Sequence, residues 1–150
     1  MKNIIGTLIF TVLLVACAAQ ERAQEPAQVT HPDAVDFSVL AGDWILDSLE
    51  GEKWLGEPRV TMNLSDGGRF SGSGGCNRYF GVFTLAEGKL STGPIGSTMM
   101  ACEQAAMDLE YRYLASLEKV ASITRGDALL HLLDEQAREL VVLRAAPPAD

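Results

Sequence analysis

The glycine-rich segment Gly72–Asn77 (GSGGCN) is the first candidate for chemistry, because clustered glycines let backbone N–H groups approach a phosphate closely. A dinucleotide-binding turn requires a third glycine inside a βαβ unit, but Asn77 stands at that place and no βαβ pattern surrounds it. A P-loop is also excluded, since no Gly-Lys-Ser/Thr follows. The glycines therefore indicate a bulge or a tight bend in a curved sheet.

A serine or cysteine nucleophile would need a histidine as its base, and the sequence has two histidines. His31 lies in a polar segment, and His131 lies in the apolar run Leu129–Leu133, where a structural or solvent-facing histidine is the more common case. The chain has no Gly-x-Ser-x-Gly segment, and no cluster of acidic residues accompanies the histidines to form a zinc site. We therefore expect no catalytic residue, no metal and no other cofactor, and a protein that is not an enzyme.

The N-terminal residues indicate export from the cytoplasm. The short positive segment Met1–Asn3 precedes Ile4–Ala16, an uncharged run of 13 residues that is too short to span a bilayer but has the length of a signal-peptide core. The residues Leu14–Cys17 (LVAC) resemble a bacterial lipobox, whose cysteine receives the lipid. We expect residues 1–16 to be a lipoprotein signal peptide and Cys17 to be the lipidated first residue of the mature protein. A plain secretory signal with an incidental cysteine is the alternative.

The residues after the lipobox and the overall charge bear on localisation. Ala18 and Ala19 follow Cys17, in place of the aspartate that typically retains lipoproteins in the inner membrane. We therefore expect the protein to be anchored in the outer membrane and to face the periplasm. Its net charge of −8 opposes binding to nucleic acid. From composition we expect a flexible tether over residues 17–35, a folded domain over 36–144 and a disordered tail over 145–150.

Cys76 and Cys102 remain as an even pair once Cys17 carries the lipid. In an oxidising compartment such a pair favours a structural disulfide. Two free thiols are one alternative. A redox-active pair is another, but the cysteines are not in Cys-x-x-Cys spacing and no thioredoxin-like pattern is present.

Alternating and mixed apolar runs predict a meander of short antiparallel strands, at residues 44–49, 59–64, 69–73, 79–85 and 89–92. Between Cys102 and Val120 the apolar spacing changes to three and four, which predicts one amphipathic helix with a single buried stripe. Two further strands are predicted at 128–133 and 139–143. The predicted fold is α+β, with a single domain in which a curved, barrel-like antiparallel sheet packs against one helix. The predicted solvent-facing side of the helix consists of Glu103, Asp108, Glu110, Arg112, Glu118 and Lys119.

Two segments, Gly75–Gly81 (GCNRYFG) and Ser97–Cys102 (STMMAC), together resemble the paired signature of the META domain, the family of the HslJ-type bacterial lipoproteins. The opening strand Trp44–Leu46 and the predicted helix fit the same pattern, so the resemblance covers about residues 40–144. It implies that the two segments pack together, which is consistent with a Cys76–Cys102 bridge. It also implies links to heat shock and envelope stress. It supplies no catalytic residue and no known ligand.

Three functions remain open at this stage. The first is a non-enzymatic envelope lipoprotein that serves as a stress-linked interaction or stabilising module, bound to the membrane through Cys17 and to an unknown envelope protein. The second is a carrier of an apolar ligand. The third is an inhibitor of a periplasmic hydrolase. For protein binding, the candidate partner-binding loop consists of Asn77, Arg78, Tyr79 and Phe80.

Overall fold

The computed structural model describes residues 35–87 and 89–147. The predicted signal peptide, the lipidation site Cys17, the histidine His31 and the tether up to residue 34 lie outside the described residues. In the described part of the chain, no helix has the length and apolar character needed to cross a membrane.

The described residues form ten strands and two helices. Helix α1 is a single turn, Phe37–Leu40, whose first N–H groups are capped by Asp36 through a hydrogen bond from the Ser38 backbone N–H. Helix α2 spans Gln104–Leu117. The strands are β1 (Gly42–Leu49), β2 (Glu52–Lys53), β3 (Thr61–Leu64), β4 (Arg69–Ser73), β5 (Arg78–Ala86), β6 (Lys89–Thr92), β7 (Gly96–Ser97), β8 (Ser122–Gly126), β9 (Leu129–Leu133) and β10 (Glu139–Ala145).

All strand pairs are antiparallel, and the main path of the sheet runs β6-β5-β4-β3-β1-β10-β9-β8. Strand β2 pairs with β1, and β7 pairs with β5. The sheet does not close, since β6 and β8 stand at its two ends. The predicted α+β single domain is confirmed. Helix α1 and the strands β2, β7 and β8 were not predicted.

One predicted boundary needs correction. Strand β10 continues to Ala145, one residue beyond the predicted end of the domain, because the Ala145 N–H donates to the Ala128 carbonyl. The next residue, Ala146, donates its N–H to the Asp43 carbonyl. The described part of the predicted tail is therefore held against β1, and residues 148–150 lie outside the described residues.

The core lies between the inner face of the sheet and α2. On α2, the side chains of Leu109, Tyr113 and Leu117 are buried at spacings of four, which is the stripe expected from the sequence. On β9, Leu130 and Leu132 are fully buried, whereas the alternate residues face the other side of the sheet. The aromatic residues of the core are Trp44, Phe70, Tyr79, Phe83 and Tyr113.

The structure corrects the predicted position of one polar residue, Glu110, and shows the surroundings of another, His131. The sequence predicts Glu110 on the solvent-facing side of the helix, but in the structure Glu110 is only 8% exposed. That assignment was wrong because Glu110 lies three residues before Tyr113 and seven before Leu117, on the border of the buried stripe. His131 lies on the outer face of β9 with its Nδ1 atom 2.8 Å from a carboxylate oxygen of Glu139.

Candidate functional site

The two signature segments are joined covalently. Cys76 and Cys102 form a disulfide with their Cα atoms 5.9 Å apart, inside the range that a bridge requires. The bond connects the turn before β5 to the residues just before α2. The predicted disulfide is confirmed, and it fixes the start of the helix against the start of the strand.

The Glu110 carboxylate holds the same turn from the side of the helix. Its Oε2 atom accepts from the backbone N–H of Cys76 at 3.2 Å and from the backbone N–H of Asn77. Its Oε1 atom accepts from the Asn77 side-chain amide at 2.8 Å. Gly74 permits this approach, since a Cβ there would lie 2.7 Å from the Glu110 Cγ. Gly75 has φ of +114°, a conformation that suits glycine.

The Asn77 side chain then connects the turn to the second signature segment. Its Oδ1 atom accepts from the Thr98 hydroxyl at 2.9 Å and from the Met100 N–H at 2.7 Å. The Thr98 hydroxyl in turn accepts from the Arg78 N–H at 3.2 Å, and the Thr98 N–H donates to the Arg78 carbonyl at 3.0 Å. Asn77 thus uses its whole side chain inside the protein, where an unpaired amide would be costly.

A pair of tyrosines extends this contact into the core. The hydroxyl oxygens of Tyr79 and Tyr113 are 2.8 Å apart, and the Tyr79 hydroxyl donates to the Thr61 carbonyl at 2.9 Å. Burial raises the pKa of Tyr113 far above its ordinary value, and burial together with the neighbouring phenol raises that of Tyr79. Both phenols therefore stay protonated at neutral pH, which suits a structural hydrogen bond and not a catalytic base.

The candidate partner-binding loop of four residues needs correction. Asn77 and Tyr79 are 6% and 2% exposed, whereas Arg78 is exposed and Phe80 is 64% exposed. Only the turn up to Asn77 is irregular, and β5 begins at Arg78, so successive side chains point to opposite faces of the sheet. Two of the four predicted residues therefore belong to the interior.

The two paired signature segments carry four exposed side chains, Arg78, Phe80, Met99 and Met100, which we call the motif surface. Met99 is 97% exposed and Met100 is 59% exposed, directly after Thr98, whose backbone pairs with Arg78. Phe80 pairs with Gly96 on β7, and its ring occupies the space that a Cβ at Gly96 would need, 2.5 Å away. Three large apolar side chains thus face solvent beside a cation.

Two cavities of the described domain are surface grooves. The first, of about 320 Å³, lies on the outer face of the sheet, and the second, of about 370 Å³, lies near the C-terminal end of α2. Each is lined by charged or hydroxyl side chains in addition to apolar ones. Neither groove is an enclosed apolar cavity, so these two grooves do not support the carrier hypothesis.

A model of the META domain family matches residues 38–147. The chain belongs to the META domain family. The matched span ends a few residues after the predicted domain and contains both signature segments. No curated protein matches the chain significantly.

Two solved structures are similar to this chain. One is an NMR structure of a protein from Burkholderia xenovorans, which is 25% identical to this chain with a TM-score of 0.56. The match covers 74% of this chain and 87% of the Burkholderia protein. The other is a crystal structure of a DUF4847 family protein from Bacteroides vulgatus, which is 11% identical with a TM-score of 0.50. The match covers 75% of this chain and 96% of the Bacteroides protein. At this identity the likeness shows the fold alone.

The META domain offers no visible metal centre in its described part. Among residues 35–87 and 89–147, no group of three or more histidine, cysteine, aspartate or glutamate side chains is placed to hold a metal ion. Sequence reasoning missed Glu110, the residue that organises the site. Its spacing from Tyr113 and Leu117 was the available signal.

Proposed function

We propose that the protein is a non-enzymatic envelope lipoprotein whose META domain binds a protein partner through the motif surface. One observation carries the proposal. The polar groups of the two signature segments are used in internal contacts, while Arg78, Phe80, Met99 and Met100 are left facing solvent. A segment that served only to stabilise the fold would have no need of three exposed large apolar side chains.

The composition of the motif surface supports protein binding. Aromatic residues, methionine and arginine are the types enriched in protein interfaces, and arginine and aromatic residues are frequent hot spots. The surface is also preorganised, because the disulfide, Glu110 and Asn77 fix both segments. A rigid surface loses little conformational entropy on binding, which favours affinity.

The non-enzymatic part of the proposal rests on how the titratable groups are used. Glu110 is occupied by three N–H donors of the turn, and the two buried phenols bond to one another. His131 pairs with Glu139 on the outer face of β9. These groups are thus engaged with one another or with the turn, which supports a structural role for them over a catalytic one.

The cellular part of the proposal rests on the N-terminal sequence and the family. We propose that Cys17 is lipidated, that the residues after it tether the domain to the periplasmic side of the outer membrane, and that the role is linked to envelope stress. The test is metabolic labelling with a palmitate analogue. Label on the native chain and none on a Cys17→Ser variant is the expected result. Equal labelling of both, or none on either, contradicts lipidation.

The binding surface is tested by site-specific photo-crosslinking in intact envelopes. A photo-reactive residue replaces Met99 in one variant and Tyr111 in a control, because Tyr111 is also well exposed, at 76%, but lies on α2. We expect a discrete protein adduct from position 99, absent from position 111 and lost when Phe80→Ser is added. Adducts that are the same from both positions, or that survive Phe80→Ser, contradict the proposed surface.

A further inference from the structure

The outer face of the sheet carries a concentration of arginines that the net charge of the chain does not suggest. On this face lie Arg69 of β4, Arg78 of β5 and Arg144 of β10, as the strand pairing and alternation place them. Arg59, two residues before β3, lines a groove on the same face. None of the four takes part in an ion pair with another described residue. The chain as a whole has a net charge of −8.

Two of these arginines line the groove of about 320 Å³ on the same face. Arg59 lies two residues before β3, and Arg78 is the first residue of β5. Strand β4 lies between β3 and β5, so two interstrand spacings, about 10 Å, separate those two strands. Short polar side chains form the floor between them: Thr61, Asn63 and Ser71. Asp43 is the one acidic residue among the described lining residues, and it already accepts a hydrogen bond of 2.8 Å from the Asn63 side chain.

The groove is continuous with the motif surface. Arg78 belongs to both, and Phe80 lies on the same face of β5, where it pairs with Ser71 of the groove floor. A ligand that reaches both arginines and continues along β5 therefore meets Phe80, two residues beyond Arg78 on the same face. The volume of the groove is at the lower end of ligand sites, which suits side chains of a ligand that itself lies across the open face of the sheet.

We propose that this groove binds an acidic, extended peptide segment of the partner protein, with carboxylates on Arg59 and Arg78 and an apolar side chain against Phe80. This inference rests on the proposed function, because it names the chemistry of the partner of the motif surface. Guanidinium groups bind carboxylates through two parallel hydrogen bonds, and the floor supplies hydroxyl and amide groups for a backbone. Acidic side chains two residues apart in an extended segment lie on one side, about 7 Å apart, and long arginine side chains cover the remaining distance.

Charge argues for a peptide rather than a larger anionic surface. A lipid bilayer or a nucleic acid presents many anions at once and is repelled by the acidic remainder of the protein. A short acidic segment meets only the arginines of the groove. Complementary charge of this kind mainly sets specificity and the rate of association.

The test measures binding of a fluorescein-labelled peptide, Gly-Glu-Ser-Glu-Ser-Leu-Gly, to the full chain in a non-ionic detergent by fluorescence anisotropy. Both glutamates and the leucine of this peptide lie on one side when it is extended. We expect saturable binding that weakens as salt is raised, and at least tenfold weaker binding of the peptide with glutamine in place of glutamate. Arg78→Gln and Arg59→Gln should each weaken binding about tenfold. Arg138→Gln is the matched control and should have no effect, since Arg138 pairs with Asp134 elsewhere.

Several outcomes overturn the inference. Equal binding of the glutamine peptide, or unchanged affinity in Arg59→Gln and Arg78→Gln, shows that the groove does not recognise carboxylates. Competition by inorganic phosphate at the same concentration as the peptide indicates a general anion site. Competition by phosphatidylglycerol vesicles and not by unlabelled peptide indicates a membrane surface. The peptide assay needs no envelope partner, so it can fail while the crosslinking experiment succeeds. Failure of the proposed function itself is recognised separately, when position 99 gives no specific adduct.

Discussion

The two faces of β5 give the side chains of one signature segment opposite surroundings: buried on the inner face and exposed on the outer face. On the inner face, Tyr79 is 2% exposed and bonds to Tyr113 and Thr61, and every polar atom of Asn77 just before the strand has a partner. On the outer face, Arg78 and Phe80 face solvent and lack an ion pair or a covering side chain within the described domain. Adjacent residues of the same segment therefore differ completely in surroundings.

Under the proposed function, the segment has two separable tasks. The inner face ties strand, turn and helix together, so changes there should reduce stability. The outer face contributes little to stability, so changes there should reduce binding alone. The predictions below test whether stability and binding separate along this division, beginning with the largest expected change in stability.

The largest loss of stability is expected from Glu110→Ala. The substitution removes the acceptor of three buried N–H donors, each worth about 1–3 kcal/mol when left unpaired, so we expect a decrease of about 4 kcal/mol in the free energy of unfolding. Urea unfolding of the full chain measures it. The control is Glu118→Ala at an exposed position just after the same helix, which should change the value by less than about 0.5 kcal/mol. Similar small effects of both substitutions would show that Glu110 does not organise the inner face.

The next effect in size is expected from loss of the disulfide. The bridge joins residues separated by 26 positions, and in the chain-entropy model this stabilises the native state by about 3.5 kcal/mol. We expect reduction, or the double substitution Cys76→Ser/Cys102→Ser, to lower the free energy of unfolding by about that amount. A thiol assay on the oxidised protein should detect neither cysteine. Two reactive thiols, or a stability that reduction leaves unchanged, would contradict a structural bridge.

A smaller effect is expected at alkaline pH, and it isolates the tyrosine pair. Burial raises the pKa of Tyr79 and Tyr113 in the native state, whereas the unfolded tyrosines lose their protons near pH 10. The native state therefore binds more protons above pH 10, and stability decreases there by about 1.4 kcal/mol per pH unit for each phenol. Below pH 10 this contribution is fully present. Tyr113→Phe should make the decrease less steep, while Tyr111→Phe, at an exposed position of the same helix, should not.

Much of the scaffold could be predicted from the sequence because its signals are local. The spacing of Leu109, Tyr113 and Leu117 predicted α2, and alternation predicted the pairing strands β3 and β4. The even cysteine pair predicted the disulfide. Strand β7 was not predicted, because its two residues are defined only by pairing with Tyr79 and Phe80 of another strand.

The site itself was predicted less well, because its geometry depends on contacts between distant residues. Glu110 bonds to N–H groups 33 and 34 positions away, and nothing near it in the sequence indicates those donors. The glycines did predict a turn before Arg78. Which of the following residues face inward depends on where β5 begins, and that is fixed by pairing with β4 and β7.

The most direct measurement combines stability and binding in one variant of the outer face, Arg78→Ser/Phe80→Ser. We expect a free energy of unfolding in urea within about 0.5 kcal/mol of that of the native chain, because both side chains are exposed, together with loss of the crosslinked adduct at position 99. A large decrease in stability would show that the outer face is part of the scaffold. An unchanged adduct in a folded variant would contradict the central claim, that the outer face of β5 is the binding surface.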